Sequence, residues 1–171
     1  MALRRSGKRQ KVDAERAADS GAARSVAASI LRTRDHGTGE LESKLRERGF
    51  ESAAASAVVG ELGGLGLLDD RRYAESFVRL HAERGHGPLR IAADLRARKL
   101  PAEVIQAALA TVSSWAAVAQ AARIRRFGRP VPGTRAEKAR QARFLQYRGF
   151  SSDHIGSALG PDLHPDIDLE S

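Results

Sequence analysis

Apolar positions between residues 21 and 160 recur three or four residues apart, and no stretch alternates apolar with polar residues as a half-buried strand would. A second, longer period overlies this one. Leu45, Leu95 and Leu145 stand 50 residues apart, as do Arg48, Arg98 and Arg148. Phe50, Leu100 and Phe150 follow in the same register, then Ala55, Ile105 and Ile155, then Val59, Leu109 and Leu159. His36-Gly37 matches His86-Gly87. A fixed offset across this many positions marks an internal repeat.

Each repeat reads as three helices. The first predicts helices near 22–34, 38–48 and 51–62, and the last near 114–127, 135–148 and 151–159. In the middle repeat Asp69 or Asp70 can cap a helix whose apolar face is Tyr73, Phe77, Leu80 and His81. Gly85-His86-Gly87 ends it. Pro88 opens a second helix, where its missing N–H costs nothing, and that helix buries Ile91 and Leu95. Pro101 opens a third, carrying Val104, Ile105, Ala108 and Leu109. Thr134-Arg135-Ala136-Glu137 has the form of a capping box. The expected fold is all-α: three tandem three-helix repeats of about 50 residues, at 21–64, 65–112 and 113–160, stacked into an elongated row able to curve. Residues 1–20 carry charge without apolar period and read as a disordered basic arm. Residues 161–171 read as a frayed acidic tail.

Composition sharpens this picture. Of the 171 residues 42% are hydrophobic but only 5% aromatic. Much of the apolar fraction is alanine, which favours helix and buries little area, so thin helix–helix contacts are expected. The net charge of +8 points to a polyanionic partner. The excess is concentrated: residues 113–160 hold nine Lys or Arg against Glu137 and Asp153, making that repeat the most basic. No cysteine is present, which removes disulfides and cysteine-ligated metals. The opening Met1-Ala2-Leu3-Arg4-Arg5 lacks the apolar core of a signal peptide, and no run of about 18 apolar residues suggests a membrane span, so a cytoplasmic location is expected.

Candidate chemistry is sparse. His36 and His86 precede glycine at equivalent loop positions but lack the partners of a metal site, and a structural loop role is expected. His81 belongs to a core edge. Asp69-Asp70 fits helix capping better than a catalytic carboxylate pair. Gly60 to Gly66 lacks the Lys-Ser/Thr of a phosphate loop and reads as a helix end. Arg48, Arg98 and Arg148 close second helices, where cations suit the helix dipole. No catalytic set, cofactor or metal is expected. A helix burying Leu145 places Arg140, Arg143 and Tyr147 roughly opposite, as one exposed stripe beside the basic stretch Arg123, Arg126 and Arg129. Arg72, Arg79 and Arg90 of the middle repeat form a second set of candidate contacts. Either set reads as a polyanion contact or as a solvated helix face.

The middle segment resembles a known family. Leu67-Leu68-Asp69-Asp70, Tyr73-Ala74, Phe77-Val78-Arg79, Gly85-His86-Gly87-Pro88 and Arg90-Ile91 before Leu95 are similar to the core signature of RecX proteins. Ala142-Arg143-Phe144-Leu145 and Arg148-Gly149-Phe150 add to it. The resemblance covers about residues 22–160. It implies a non-enzymatic negative modulator of the RecA recombinase that binds the RecA–single-stranded-DNA filament, touching the DNA directly or through RecA; the repeated three-helix plan itself leads to the expectation of a monomer. One position departs from the family: where Gly49 and Gly149 close their second helices, the middle repeat has Lys99. A left-handed helix end there costs about 1 kcal/mol relative to glycine, so a looser cap or a different turn is expected. The residues alone also allow a stand-alone basic DNA-binding protein, or a helical adaptor with no nucleic-acid role.

Overall fold

The computed structural model describes residues 17–160. The acidic tail and all but the last four residues of the expected basic arm lie outside the described residues. Among the described residues the chain forms nine helices and no strand. They are α1 (Ser20–Leu31), α2 (Thr38–Glu47), α3 (Ser52–Gly64), α4 (Asp70–Glu83), α5 (Pro88–Ala97), α6 (Ala102–Leu109), α7 (Trp115–Phe127), α8 (Arg135–Tyr147) and α9 (Ser152–Leu159). None is long and apolar enough to cross a membrane. Helix α1 begins earlier and ends earlier than its apolar period suggests. The Asp19 carboxylate accepts from the Gly21 and Ala22 N–H groups at 2.8 and 3.1 Å, which fixes the start.

The chain folds as two compact units. One holds residues 17–73 together with Arg98–Leu100; the other holds Ala74–Ala97 and residues 101–160. The first unit is built on Ala23, Ala27, Ile30, Leu41, Leu45, Phe50, Ala55, Val58 and Leu62, from α1, α2, α3 and the turn between the last two. Val58 is the fully buried residue here and Val59, the repeat-matched position, only packs at the edge. In the second unit α7, α8 and α9 close over Ala119, Ala122, Leu145, Phe150 and Ala158, with Trp115, Val118, Phe144 and Ile155 at the margin. Leu45, Leu95 and Leu145 are all fully buried, as their shared register requires.

Helix α4 buries a different face from the one its large residues suggest. Ala74 and Val78 are fully buried, whereas Tyr73, Phe77 and His81 are half-buried and Leu80 is 44% exposed. In an alanine-rich chain the close helix contacts fall on small residues, which let backbones approach, and the large side chains are displaced to the flanks. The expected second-helix positions Ile91 and Leu95 are both fully buried.

The ends of the helices are where the 50-residue period acts. Gly49 and Gly149 take left-handed φ of 91° and 88°. Gly49 N–H donates to Arg46 O and Phe50 N–H to Leu45 O; Gly149 and Phe150 repeat this on Gln146 and Leu145. This doubly bonded stop turns Phe50 and Phe150 back into the core. Lys99 adopts the same left-handed conformation with φ 62°, so the middle repeat keeps the turn and bears its cost. Nearby, the two aspartates divide their work. Asp69 caps its own helix by accepting from Arg72 N–H at 2.9 Å. Asp70 instead accepts from Thr38 N–H at 2.7 Å and Thr38 Oγ1 at 2.6 Å, capping α2, whose own N-cap residue is the side-chain-less Gly37.

In the second unit the start of α5 is met by backbone. Gly87 N–H donates to Arg148 O at 2.8 Å and Leu89 N–H to Gly149 O at 3.0 Å. A Cβ on Gly87 would lie 2.3 Å from Gly149 O, so only glycine fits there. Pro88 follows as the first residue of α5, as expected. The signature Gly87-Pro88 therefore forms a backbone joint within the second unit.

Candidate basic interface

Helices α7 and α8 place a basic surface on the second unit. The last turn of α7 carries Arg125 and Arg126 before Phe127. Helix α8 starts at a complete capping box: Glu137 N–H donates to Thr134 Oγ1 at 3.2 Å, and Glu137 Oε2 accepts from Thr134 and Gly133 N–H at 3.2 and 3.0 Å. Those backbone donors hold the Glu137 carboxyl below the usual carboxylate range, with Arg140 adding to the effect. The one acid on α8 is thus engaged in capping.

Leu145 and Gln141 anchor α8 inward. Arg140, Arg143 and Tyr147 then point away, all exposed, with Tyr147 at 83%. The structure brings them together with Arg126, Phe127 and Phe144 around one open groove that has no carboxylate in its lining. Phe127 and Phe144 meet edge to face with centroids 5.3 Å apart and planes at 89°. The guanidinium carbons of Arg126 and Arg140 each lie 5.4 Å from the Phe127 centroid, and that of Arg148 lies 5.1 Å from Phe144. These are cation–π distances, so the rings hold the cations in place without neutralising them. Among the described residues Arg126, Arg140 and Arg143 form no ion pair.

Arg123 departs from the expected stretch. It is 2% exposed, and its guanidinium donates to Pro130 O at 3.0 Å and Arg129 O at 3.3 Å, with Gln141 Oε1 at 3.5 Å. Ala119, Ala122 and Arg123 share a helical face at i, i+3 and i+4, so Arg123 is carried inward and stitches the α7–α8 loop. It is unavailable to a partner. Arg129 is exposed in that loop but outside the groove lining. Arg79 lines a separate groove of mixed sign with Glu75, Glu83 and Arg125. Arg90 is exposed beside the Gly149 joint, and Arg72 is exposed with Nη2 donating to Gly66 O at 3.3 Å. Arg72 belongs to the first unit, and Arg79 and Arg90 to the second.

Phe127 and Phe144 are the groove residues that charge counting passes over. Their signal is the spacing Arg140, Phe144, Tyr147 at i, i+4, i+7, which sets aromatic and cationic groups on neighbouring positions of one helix.

The histidines take structural places. His36 is buried, and its Nδ1–H donates to Arg34 O at 2.8 Å. Burial pushes its pKa down. His81 and His86 meet Nδ1 to Nδ1 at 2.9 Å, with Phe77 stacked on His81 at 3.9 Å. Burial, then Arg90, lowers the pKa of His86. Among the described residues no three His, Cys, Asp or Glu side chains group as metal ligands.

Fold and surface together define a class: a tandem array of three-helix domains with a basic, aromatic-floored face. Comparison with known proteins makes the class particular. Family models described as the first, second and third three-helix domains of RecX match residues 23–62, 69–109 and 116–159. The chain is 45% identical over 145 residues to the Regulatory protein RecX of Halorhodospira halophila (strain DSM 244 / SL1), spanning 84% of this chain and 90% of that one. It is 40% identical over 144 residues to the Regulatory protein RecX of Pseudomonas fluorescens, spanning 83% and 93%. In three dimensions it is similar to the crystal structure of RecX from Lactobacillus salivarius, with a TM-score of 0.69 at 22% identity over 80% of this chain and 91% of that one. The chain belongs to the RecX family of regulatory proteins.

Proposed function

We propose that this protein is a cytoplasmic, monomeric negative modulator of the RecA recombinase, acting in DNA repair, homologous recombination and the SOS response. It binds the RecA–single-stranded-DNA filament and limits filament extension, ATP hydrolysis and strand exchange, catalysing nothing itself. Membership of a family whose members are named regulatory proteins is the observation that carries this reading. The groove of Arg126, Arg140, Arg143 and Tyr147 supports the contact face. A DNA-containing filament presents phosphates, and an array of unpaired cations lowers the free energy of meeting them by releasing counterions.

The test is RecA's DNA-dependent ATP hydrolysis with added protein at modest salt. The expected result is inhibition near or below one protein per RecA protomer. Unchanged hydrolysis over a wide concentration range refutes the reading. Inhibition only at levels that coat free DNA favours a stand-alone DNA-binding protein, the second reading, which the exposed Tyr147 among arginines supports.

A further inference from the structure

We infer that residues 161–171 dock on the α7–α8 groove of the same molecule and lie over Arg126, Arg140 and Arg143, so that the chain's own acidic segment covers its basic face until a stronger polyanion displaces it. The groove sets those three arginines among Phe127, Phe144 and Tyr147, with no carboxylate in its lining. Glu137, the acid on α8, is engaged in the capping box. The guanidinium carbons of Arg126 and Arg140 lie 5.4 Å from the Phe127 centroid, so these cations are placed without being neutralised. Residues 161–171 hold what the groove lacks: Asp162, Asp166, Asp168 and Glu170, with no Lys or Arg. The other end of the chain has the wrong sign, with Arg4, Arg5, Lys8, Arg9, Lys11 and Arg16 against Asp13 and Glu15.

Reach and pattern agree with charge. Gly160 ends α9 with φ 98° and ψ 169°, and Pro161 and Pro165 oppose continuation of the helix. Helix α9 has eight residues, about 12 Å, and the turn before it leads back to Tyr147, the last residue of α8. Gly160 is therefore roughly one short helix from the groove, whereas residues 161–171 span about 36 Å when extended. Asp166, Ile167, Asp168, Leu169 and Glu170 alternate, so an extended backbone turns three carboxylates to one side and two apolar side chains to the other. A groove lined by both guanidinium groups and rings can meet both sides. A short tether holds the segment at an effective concentration on the order of mM, so a weak contact suffices to fill the groove. The contact rests on charge, pattern and reach; that it restrains regulation rests on the reading of this face as the contact face.

The test uses the full chain without RecA. The chain has no cysteine, so Ser171→Cys carries a nitroxide at a single site. At low salt the nitroxide should broaden the amide signals of Arg126, Phe127 and Arg140 to Tyr147 more than others on α7, α8 and α9. The broadening should vanish at high salt. It should also vanish when Asp162→Asn, Asp166→Asn, Asp168→Asn and Glu170→Gln neutralise the segment. A heparin octasaccharide then probes the face by calorimetry. The neutralised chain should bind it roughly three- to tenfold more tightly than wild type, because no part of the population is covered. Arg140→Gln with Arg143→Gln should abolish that difference. Circular dichroism and melting confirm that each variant is folded. Groove signals that are not broadened, or are broadened equally in the neutralised chain, overturn the inference, as does equal heparin affinity of the two chains. Broadening that passes only from a spin-labelled copy to a separate isotope-labelled copy marks a second molecule as the occupant and also overturns it. These failures leave the RecA reading standing, since no step contains RecA. A docked segment in a protein without effect on RecA sinks that reading alone.

Discussion

Lys99 holds a left-handed backbone that glycine holds at the matching positions 49 and 149. The reason lies across the contact. A Cβ on Gly39 would sit 2.8 Å from Lys99 O and 2.9 Å from Lys99 Cβ. In the second unit the order is exchanged: Gly149 is the glycine, and a Cβ there would lie 2.5 Å from Arg90 Cβ. Beside Gly87, the second-unit joint also needs a glycine at 149, whereas the first-unit joint tolerates a side chain at Lys99 because Gly39 faces it. Lys99 also donates from Nζ to Ser43 Oγ, an exposed bond of small net value. Lys99→Gly should therefore stabilise the fold by about 0.5–1 kcal/mol, seen as a higher urea midpoint with unchanged slope. A lower midpoint would show that the Lys99 side chain contributes more than its backbone costs. The Lys99 departure was visible in the sequence; its compensation at Gly39 was not, because close approach of two backbones leaves no periodic trace.

The histidines make a second residue-scale prediction. His36 and His86 both have folded-state pKa values pushed down by burial. Below about pH 6.5, the ordinary histidine value, the unfolded chain binds protons that the folded chain resists. Their contribution is thus present in full above that pH and is lost as pH falls. The urea midpoint should drop between pH 7.5 and pH 5.5, and His86→Gln should shrink the drop. A midpoint that is flat or rises on acidification would contradict the burial argument.

At the scale of elements, helix ends carry most of the specification. The capping box at Thr134 was legible because both partners are local. The cap on α2 was not, because it comes from Asp70, 32 residues away. Asp70→Asn removes the charge from a carboxylate that accepts two bonds from Thr38 and should cost about 1 kcal/mol by thermal or urea melting. No loss would mean that water satisfies Thr38 equally well. Gly87→Ala is the harsher change. Its Cβ would meet backbone on three atoms of Gly149 and Phe150, where nothing flexible can yield, and a loss of about 3 kcal/mol is expected. Helix α4 shows the opposite limit of sequence reading. Tyr73, Phe77, Leu80 and His81 are spaced as a core face, yet Ala74 and Val78 take the core. Hydrophobic periodicity locates the helix, but with small residues available it does not fix which side is inward.

For the whole molecule, charge and repeat together single out the last repeat and then lose resolution. The 50-residue period yields the three-helix plan because burial of Leu45, Leu95 and Leu145 leaves a linear record. The basic excess of residues 113–160 singles out the last repeat, but counting arginines cannot separate Arg123, folded inward on Pro130, Arg129 and Gln141, from Arg126, which faces the groove. The stripe of Arg140, Arg143 and Tyr147 was legible from helical angles alone; its floor of Phe127 and Phe144 depends on the packing of α7 on α8. The central claim is that this face engages the RecA filament. Its most direct test is inhibition of RecA's DNA-dependent ATP hydrolysis by Arg140→Glu with Arg143→Glu, compared with wild type across a salt series. Surface changes of this kind alter stability by about 0.5 kcal/mol or less, so the variant should fold normally. The account predicts a loss of inhibitory potency of about tenfold or more and a flatter salt dependence. Wild-type inhibition by the well-folded double variant would contradict it.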